Sequence, residues 1–343
     1  MNLSIIILNW NNYSHTRACV RSLFQCTQTD WTVRHIVVDN GSGDDSLAKL
    51  RREFGDELDY IAAGENLGYS GGNNLGIRQA LAEGADLVLL LNNDTTVDKN
   101  FLKELRKSVA RHADFQLFGA KIFYHLRPHT LWYAGGGYTE WLGKVWQTGM
   151  GDADGPQYQS ANEISFINGC CLLIRREVFE SIGYLDDALY LYGEDLDFCM
   201  RAKRAGLRML FVPQARLWHH IGAFRGGELS PLYLYYHTRN RYVVFGRTRG
   251  PFFRMWLAFL QITLYSGVRT FLFLMSRNRV WPQQIRALWH GCLDGFLHRL
   301  GQAEMYHRDL EARPEPSFFT WRSNHIRQSP SWAFGKVPVE SNE

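Results

Sequence analysis

Acidic side chains nearly vanish from one stretch of this 343-residue sequence: residues 201–300 carry 16 Lys and Arg but only Glu228 and Asp294. Residues 1–200 lean the other way, with 17 basic against 26 acidic side chains. The formal net charge of +4 therefore conceals an acidic first part and a basic second part in which Arg far outnumbers Lys. That split points to an anionic partner for the second part, whether phosphates, nucleic acid or an acidic membrane surface. No CxxC spacing occurs among Cys19, Cys26, Cys170, Cys171, Cys199 and Cys292, and two of them are adjacent. This argues against a disulfide frame and a zinc site, and for buried reduced thiols. Neither G-x-G-x-x-G nor a Walker A loop is present, which removes the standard dinucleotide and P-loop readings. The apolar run Ile5–Leu8 is too short for a secretory leader and has no basic stretch before it, so a cytoplasmic location is expected. Nor does any window long enough to cross a bilayer escape charge, because the uncharged Met255–Val268 is bounded by Arg254 and Arg269. A helix lying in the membrane interface is favoured over a spanning one, with an ordinary buried helix as the other reading. Internal repeats and low-complexity tracts are absent, and 45% hydrophobic with 21% charged residues describes a packed globular chain.

What is present alternates between strand and helix. Leu3–Leu8 is a continuous apolar run suited to a strand buried on both faces. A helix follows over about Ser14–Cys26. His35–Val38 reads as a second strand, closed by the turn chemistry of Asp39-Asn40-Gly41-Ser42. Then come a helix over Ser46–Phe54, a strand over Tyr60–Ala63, a helix over Gly71–Glu83 stopped by Gly84, a strand over Leu87–Leu91, a helix over Lys99–His112 and a strand over Gln116–Ile122. This alternation predicts an α/β fold, a mostly parallel sheet with helices on both faces, whose ligands bind beyond the carboxyl ends of the strands. Asp39 and Asp94 both fall just past such ends. Residues 130–165, rich in Gly, Trp and Tyr, predict a hairpin or irregular insertion with a mobile loop near Gly149–Gln159. Ser165–Ile174 reads as a strand, Arg176–Ile182 as a short helix, Glu194–Ala205 as a helix ended by Gly206, and Leu207–Val212 as a strand stopped by Pro213. From about Ser230 the pattern is basic and helical, over Tyr233–Thr248, Phe252–Ser276 and Pro282–Leu300, and residues 313–343, with four of the ten prolines, suit a loosely ordered tail.

Four short constellations could carry chemistry. Asn92-Asn93-Asp94 follows a strand, where a carboxylate can hold Mg²⁺ or Mn²⁺ and bridge it to a diphosphate, although the triplet also reads as a plain turn. Glu65-Asn66-Leu67-Gly68-Tyr69-Ser70-Gly71-Gly72-Asn73-Asn74 opens a helix, where backbone N–H groups could approach phosphates or simply cap the helix. Gly193-Glu194-Asp195-Leu196-Asp197 sets three carboxylates in five residues; they would raise one another's pKa and offer a general base, or merely complement a helix dipole. His219-His220 could complete a metal shell or be structural.

The order of these blocks resembles the inverting family 2 glycosyltransferases of the GT-A fold, and within them the bacterial rhamnosyltransferases of cell-surface polysaccharide synthesis. The resemblance covers about residues 3–245. It rests on Ile5-Ile6-Ile7-Leu8-Asn9-Trp10-Asn11, Val37-Val38-Asp39-Asn40-Gly41-Ser42, Asn66–Asn73, Leu91-Asn92-Asn93-Asp94, Gly169–Arg176, Tyr192–Asp197, Pro213-Gln214-Ala215 with His219, and Arg239-Asn240. It implies a GT-A fold with a basic, amphipathic helical extension. Residues 1–229 would be the catalytic domain, with a nucleotide-sugar half (1–125) and an acceptor and base half (126–229). Residues 230–312 would associate with the membrane, and 313–343 would be the tail. Leu8, Asn9 and Asn11 would line the nucleotide pocket, and Asp39 would accept the N3–H of uracil or thymine. Asn66, Gly68, Gly71, Gly72, Asn73, Asn92 and Asn93 would lie near ribose, diphosphate and sugar. Asp94 and His219 would hold Mg²⁺ or Mn²⁺, and Asp195 would be the base, with Glu194 tuning it. Arg239 and Asn240 match a family feature without a defined role. The sequence departs from the family's Asp-x-Asp at Asn92, which adds no charge, so metal affinity without nucleotide should be weak.

The resemblance thus implies a single in-line displacement with inversion, from a dTDP or UDP sugar, with dTDP-L-rhamnose the leading donor. The acceptor would be a polyprenyl-diphosphate-linked glycan at the anionic inner face of the cell membrane, and a second copy of the chain is a candidate partner. Galactofuranose, glucose and N-acetylglucosamine remain alternative sugars. A nucleotidyltransferase would need a basic phosphate loop near the N-terminus, which residues 9–16 lack, and a non-catalytic scaffold would be expected to have lost Asp94 or Asp195. The basic face carries no nucleic-acid motif.

Overall fold

The computed structural model describes residues 1–221, 229–247, 249–276 and 280–311. In chain order the first half runs β1 (Asn2–Asn9), α1 (Tyr13–Phe24), β2 (Thr32–Asp39), α2 (Ser46–Phe54), β3 (Asp59–Ala62), α3 (Gly68–Ala82), β4 (Leu87–Asn92), β5 (Thr95–Val97), α4 (Phe101–Arg111) and β6 (Leu117–Tyr124). Then come β7 (Arg127–Tyr133), β8 (Gly136–Thr139), β9 (Lys144–Gln147), β10 (Asn162–Ile164), β11 (Cys171–Arg175), α5 (Arg176–Ile182), α6 (Glu194–Arg204) and β12 (Met209–His219). The main sheet has the order β10-β12-β6-β11-β4-β1-β2-β3, with β5 added to β12 and β7 to β6, while β8 and β9 form a separate hairpin. β3, β2, β1 and β4 are parallel, and β11 runs antiparallel between β4 and β6. This is the expected α/β architecture. Ile5, Ile6 and Ile7 have no exposure because helices cover both faces of β1. Registers Asn9↔Asp39 and Leu8↔Asn92 align the carboxyl ends of β1, β2 and β4, so residues just after them share one edge.

Three local expectations fail for identifiable reasons. The strand expected to stop at Pro213 continues to His219: Pro213 sits where the register against β6 slips between Val212 and Arg216, a bulge that needs no N–H from proline. The strand expected from Ser165 starts only at Cys171. Before it, Ile167 donates its N–H to Cys199 Sγ and Gly169 donates to Asp195, so this stretch directs donors to α6 instead of to a ladder. The loop expected to be mobile near Gly149–Gln159 is anchored instead. Leu131 N–H donates to Asp152 O, Tyr158 OH donates to Asp152, and the fully buried Lys121 meets Asp154 at 2.7 Å.

Helices α7 (Pro231–Gly246), α8 (Pro251–Leu260), α9 (Val268–Ser276) and α10 (Trp281–Phe296) belong to the same compact unit as the sheet, Met1–Gln302. α10 crosses α7 closely through glycines: a Cβ on Gly291 would stand 2.5 Å from Tyr235 O. The single helix expected over Phe252–Ser276 is interrupted by a π segment, Gln261–Gly267, which joins α8 to α9. α11 (Glu304–Glu311) is the described part of a second unit, Ala303–Glu343. The expected tail, 313–343, lies outside the described residues.

Candidate active site

The parallel register brings Asn9 to Asp39, and their side chains meet. Asn9 Nδ2 donates to Asp39 Oδ1 at 2.8 Å, and Asn9 Oδ1 accepts from Thr16 Oγ1. Ser42 Oγ also donates to Asp39 Oδ1, and Ser42 N–H to Oδ2. Two carboxylate oxygens offer about four lone-pair sites, so these three bonds leave one on Oδ2 for a ligand donor. Asn11 adopts a left-handed φ of 50° and accepts from Gly43 N–H, which fixes the loop beside the pair. Leu8 contributes wall: a Cβ on Gly72 would come within 2.5 Å of Leu8 Cδ1, so α3 can approach β1 only with glycine there.

The glycines of the Asn66–Asn73 segment serve close packing. Gly68 has φ +72° and faces Tyr190 O, 2.4 Å from where a Cβ would be, while a Cβ on Gly71 would meet Leu67 Cβ at 2.8 Å. The N–H groups of Tyr69 and Ser70 both donate to Tyr190 O, at 2.7 and 3.3 Å. The first-turn donors expected to approach a phosphate are thus already engaged. Asn66 Oδ1 accepts from Asn40 Nδ2 and Gly68 N–H, and the buried Asn73 donates back to Tyr69 O.

The extension of β12 decides where His219 goes. β5 pairs antiparallel with β12, His219 opposite Thr95, and His220 N–H donates to Asp94 O. His219 Nε2 consequently stands 3.0 Å from Asp94 Oδ1. The pair misses hydrogen-bond geometry, and Asp94 Oδ1 is buried without a donor. Two ligands about 2.1 Å from one octahedral cation stand about 3 Å apart, so these atoms fit a shared divalent metal. Among the described residues no set of three or more His, Cys, Asp or Glu side chains is placed to hold one; protein atoms alone would leave most of the shell to other ligands. Burial pushes the Asp94 carboxyl up, but the imidazoles of His219, His15 and His220 outweigh it and hold it below the usual range. His15 and His125 flank His220, ring centroids 4.9 and 3.3 Å away. Burial, then these neighbours, bring His220 down to about 4. Asn93 Nδ2 donates to Thr16, whereas the half-buried Asn92 side chain makes no hydrogen bond among the described residues.

Asp195 lies in the first turn of α6. Its Oδ2 accepts Gly169 N–H at 3.0 Å and its Oδ1 accepts Leu196 N–H at 2.8 Å. Burial raises its pKa and these donors offset part of the rise. Glu194 is more deeply buried, its Oε2 has no partner, and burial plus the charges of Asp195 and Asp197 lift its carboxyl well above the usual range. The two cannot ionise independently; both carboxyls are pushed up, Glu194 further, so Asp195 is the easier of the two to ionise. Asp197 is committed elsewhere, to Arg201 and Arg247. The Asn168–Cys170 segment links both ends of the site. Cys170 O accepts Asn92 N–H, two residues from Asp94, while Gly169 binds Asp195 and accepts Tyr69 OH at 2.6 Å.

Sequence reasoning singled out Arg239 and Asn240 without a defined role; the structure shows that they hold the turn before α6. Tyr190, Tyr192 and Gly193 all have left-handed φ. The fully buried Asn240 donates to the carbonyls of Leu189, Leu191 and Tyr192, and buried Arg239 reaches Leu189 O and Asn240 Oδ1. The adjacency of Arg239 and Asn240 was visible in the sequence; their partners fifty residues away were not.

A family model described as "Glycosyltransferase like family 2" matches residues 2–241. A hexosyltransferase of low-salt glycan biosynthesis from Haloferax volcanii, Agl10, is 29% identical over 245 residues, 71% of this chain and 75% of that one. An N-acetylglucosaminyl-diphospho-decaprenol L-rhamnosyltransferase of Mycobacterium tuberculosis is 24% identical over 304 residues, 83% and 96% of the two chains. A solved structure of GalNAc-T7 with UDP, GalNAc and Mn²⁺ shares the fold at TM-score 0.57 and 14% identity, covering 91% of this chain and 56% of that one. The chain belongs to the family 2 glycosyltransferases and has the GT-A fold.

Proposed function

We propose that this glycosyltransferase moves L-rhamnose from dTDP-L-rhamnose, with inversion, onto a hydroxyl of a polyprenyl-diphosphate-linked glycan in cell-surface polysaccharide synthesis. The observation that carries the reading is the double use of Asn168–Cys170, which ties the Asp94–His219 pair and the Asp195 carboxylate to one short segment. The free lone pair of Asp39 accepts the base N3–H, and Leu8, Asn9 and Asn11 shape the surrounding wall. Asn66, Gly68, Gly71, Gly72 and Asn73 support the donor side, with Asn92 and Asn93 nearest the sugar. Asp94 and His219 would hold Mg²⁺ or Mn²⁺, which when bound would supply positive charge against the departing diphosphate. Asp195 takes the proton of the acceptor hydroxyl as its oxygen bonds to C1 and the bond from C1 to the diphosphate oxygen breaks. Glu194, kept neutral, leaves Asp195 as the charged member of the pair.

The name of the mycobacterial relative, matched over nearly its whole length, supports rhamnose and a diphospho-polyprenol acceptor. The fold relative solved with UDP and Mn²⁺ supports a divalent cation and keeps a UDP sugar as the second reading, since uracil and thymine offer Asp39 the same N3–H. Residues 1–229 carry the chemistry in this reading and 230–312 the attachment to an anionic inner membrane surface. Pro251–Ser276 is long and apolar enough to cross a membrane, yet a third of its most apolar stretch is buried and Arg254 and Arg269 interrupt it. Its outward face shows Phe252, Phe259 and Phe271 at 83, 56 and 61% exposure, a pattern suited to lying in the interface.

The test is turnover of dTDP-L-rhamnose with a lipid-linked acceptor by wild type and Asp195→Asn. Loss of product with retained nucleotide binding is expected; a variant as active as wild type removes Asp195 from the base role, and turnover indifferent to EDTA removes the metal.

A further inference from the structure

Not every cation in the basic third of the chain finds an acid. Arg247 pairs with Asp186 and Asp197, and Arg299 approaches Asp294. Arg241 of α7 and Arg269 of α9 have no carboxylate partner among the described residues. Instead both guanidinium carbons lie against the ring of Tyr265, at 4.3 and 3.9 Å from its centroid. Arg241 Nε donates to Gly143 O, while Arg269 makes no hydrogen bond to the described protein. Both side chains are half-buried. Two like charges brought to one ring, with water partly excluded and no counter-ion among the described residues, form a concentrated positive potential. His237 records it: its Nδ1 lies 2.6 Å from Tyr265 Oη, and burial followed by the charges of Arg241 and Arg269 takes its pKa down to about 3.

The surroundings say where such an anion would come from. A row of rings leads from Tyr265 towards the base: Tyr265 to His237 at 5.8 Å, His237 to Tyr233 at 5.0 Å, Tyr233 to Tyr192 at 5.0 Å, with Tyr192 three residues before Asp195. On the other side, Arg269 adjoins the exposed apolar residues Val268 and Phe271. A ligand bridging these features has sugar at one end, an anion in the middle and hydrocarbon at the other. Guanidinium forks suit the second and the apolar helix the third, while the row of rings, packed on one another, joins them to the turn before Asp195 where the first would react.

We propose that Arg241 and Arg269, set against Tyr265, bind the diphosphate of a lipid-linked acceptor. This rests on the transfer reading above and names the acceptor side of that site. The site is read by direct binding in EDTA, with farnesyl diphosphate as the probe, so that no metal-dependent nucleotide contact contributes. Inorganic pyrophosphate and phosphatidylglycerol vesicles form the comparison arms. Arg269→Gln, which breaks no hydrogen bond within the described protein, is expected to weaken farnesyl diphosphate binding by about tenfold or more, and Arg241→Gln to do the same. Nucleotide binding with Mn²⁺ should be unchanged in both, which also reports that they fold. Farnesyl diphosphate binding unaffected by either substitution overturns the site. Pyrophosphate binding as tightly as farnesyl diphosphate, or an equal Arg-dependence on phosphatidylglycerol vesicles, overturns the lipid-diphosphate assignment. Failure of wild type to bind nucleotide with Mn²⁺ would instead strike the donor reading and leave this result standing.

Discussion

Replacing Asn240 with Ala should separate the positioning of the base from the binding of nucleotide. Asn240 has no exposure, and its two N–H donors serve three carbonyls, Leu189 at 2.9 Å, Leu191 at 3.0 Å and Tyr192 at 2.6 Å. Alanine removes this donor from all three carbonyls in a site too closed for free hydration; Leu189 O keeps Arg239 Nη2 and Leu191 N–H, so the loss falls on Leu191 O and Tyr192 O. A buried polar group left unsatisfied costs about 1–3 kcal/mol; with two full bonds lost, about 3 kcal/mol is expected, a large share of the 5–15 kcal/mol typical of a folded domain. The turn has reason to move once released, because Tyr190 and Tyr192 hold left-handed φ of 65° and 62°, and each such non-glycine residue costs about 1–2 kcal/mol. Movement there shifts the start of α6, and with it Asp195, but leaves Asp39 and Asp94 on β2 and after β4. Urea unfolding, nucleotide titration with Mn²⁺ and initial rates on one preparation give the three readouts. The expected pattern is lower stability, a kcat reduced by about tenfold or more, and nucleotide affinity near wild type. A stability loss below about 0.5 kcal/mol, or nucleotide affinity falling in step with kcat, refutes the reasoning.

Gly68→Ala should destabilise the fold by about 2 kcal/mol or more, since its φ is +72° and a Cβ would stand 2.4 Å from Tyr190 O; an unchanged urea midpoint contradicts this. Glu194 and Asp195 have folded pKa values raised above their unfolded ones. Their contribution to stability is thus fully present below the unfolded carboxylate range and lost as pH rises through the folded values. Glu194→Gln, which cannot ionise, should gain stability relative to wild type as pH rises, and a pH-independent difference would show that Glu194 is not protonated in the fold. The same upward shift puts the acid limb of the kcat profile, where Asp195 becomes protonated, above the ordinary carboxylate value of about 4; calorimetry and rates across pH check both. Asp94→Asn should weaken nucleotide binding in Mn²⁺ and leave it unchanged in EDTA, whereas equal loss in both points to a structural effect. Phe259→Glu, on an exposed position, should reduce flotation with phosphatidylglycerol vesicles without changing nucleotide affinity; undiminished flotation removes α8 from the membrane contact.

The alternation of apolar runs and turns made the sheet legible, because β1, β4 and the second half of β2 are buried on both faces and declare themselves by composition alone. Asp39 and Asp94 were legible for the same reason, lying where parallel strands end. His219 was harder. Pro213 is a sound stop signal locally, and only the pairing of β12 with β6 turns it into a bulge and carries the strand on to β5. The convergence of His15, His125 and His220 has no periodic signature, since the three come from α1, the end of β6 and the end of β12. The glycines carry a demand that the local sequence does not display. Gly68, Gly71 and Gly72 read locally as a phosphate loop or a helix cap, and the structure adds their close approach to Tyr190, Leu67 and Leu8.

The two ends of the site handle negative charge differently, and the difference bears on how donor and metal engage. At the proposed base end two adjacent carboxyls share burial and both are pushed up, Glu194 further than Asp195, which accepts the N–H groups of Gly169 and Leu196, so Asp195 is the easier of the two to ionise. Where Asp94 and His219 would hold a metal in the proposed reading, Asn92, which adds no charge, stands where the family's motif has a second acid. A diphosphate arriving there meets one protein carboxylate, not two, which lessens repulsion. In the proposed reading the cation would be held by one carboxylate and one imidazole, two ligands where Mg²⁺ needs six. In the proposed reaction the remaining coordination must come from the diphosphate and water, so metal and donor would bind as a unit. Screening of the leaving group would then arise only when a leaving group is present.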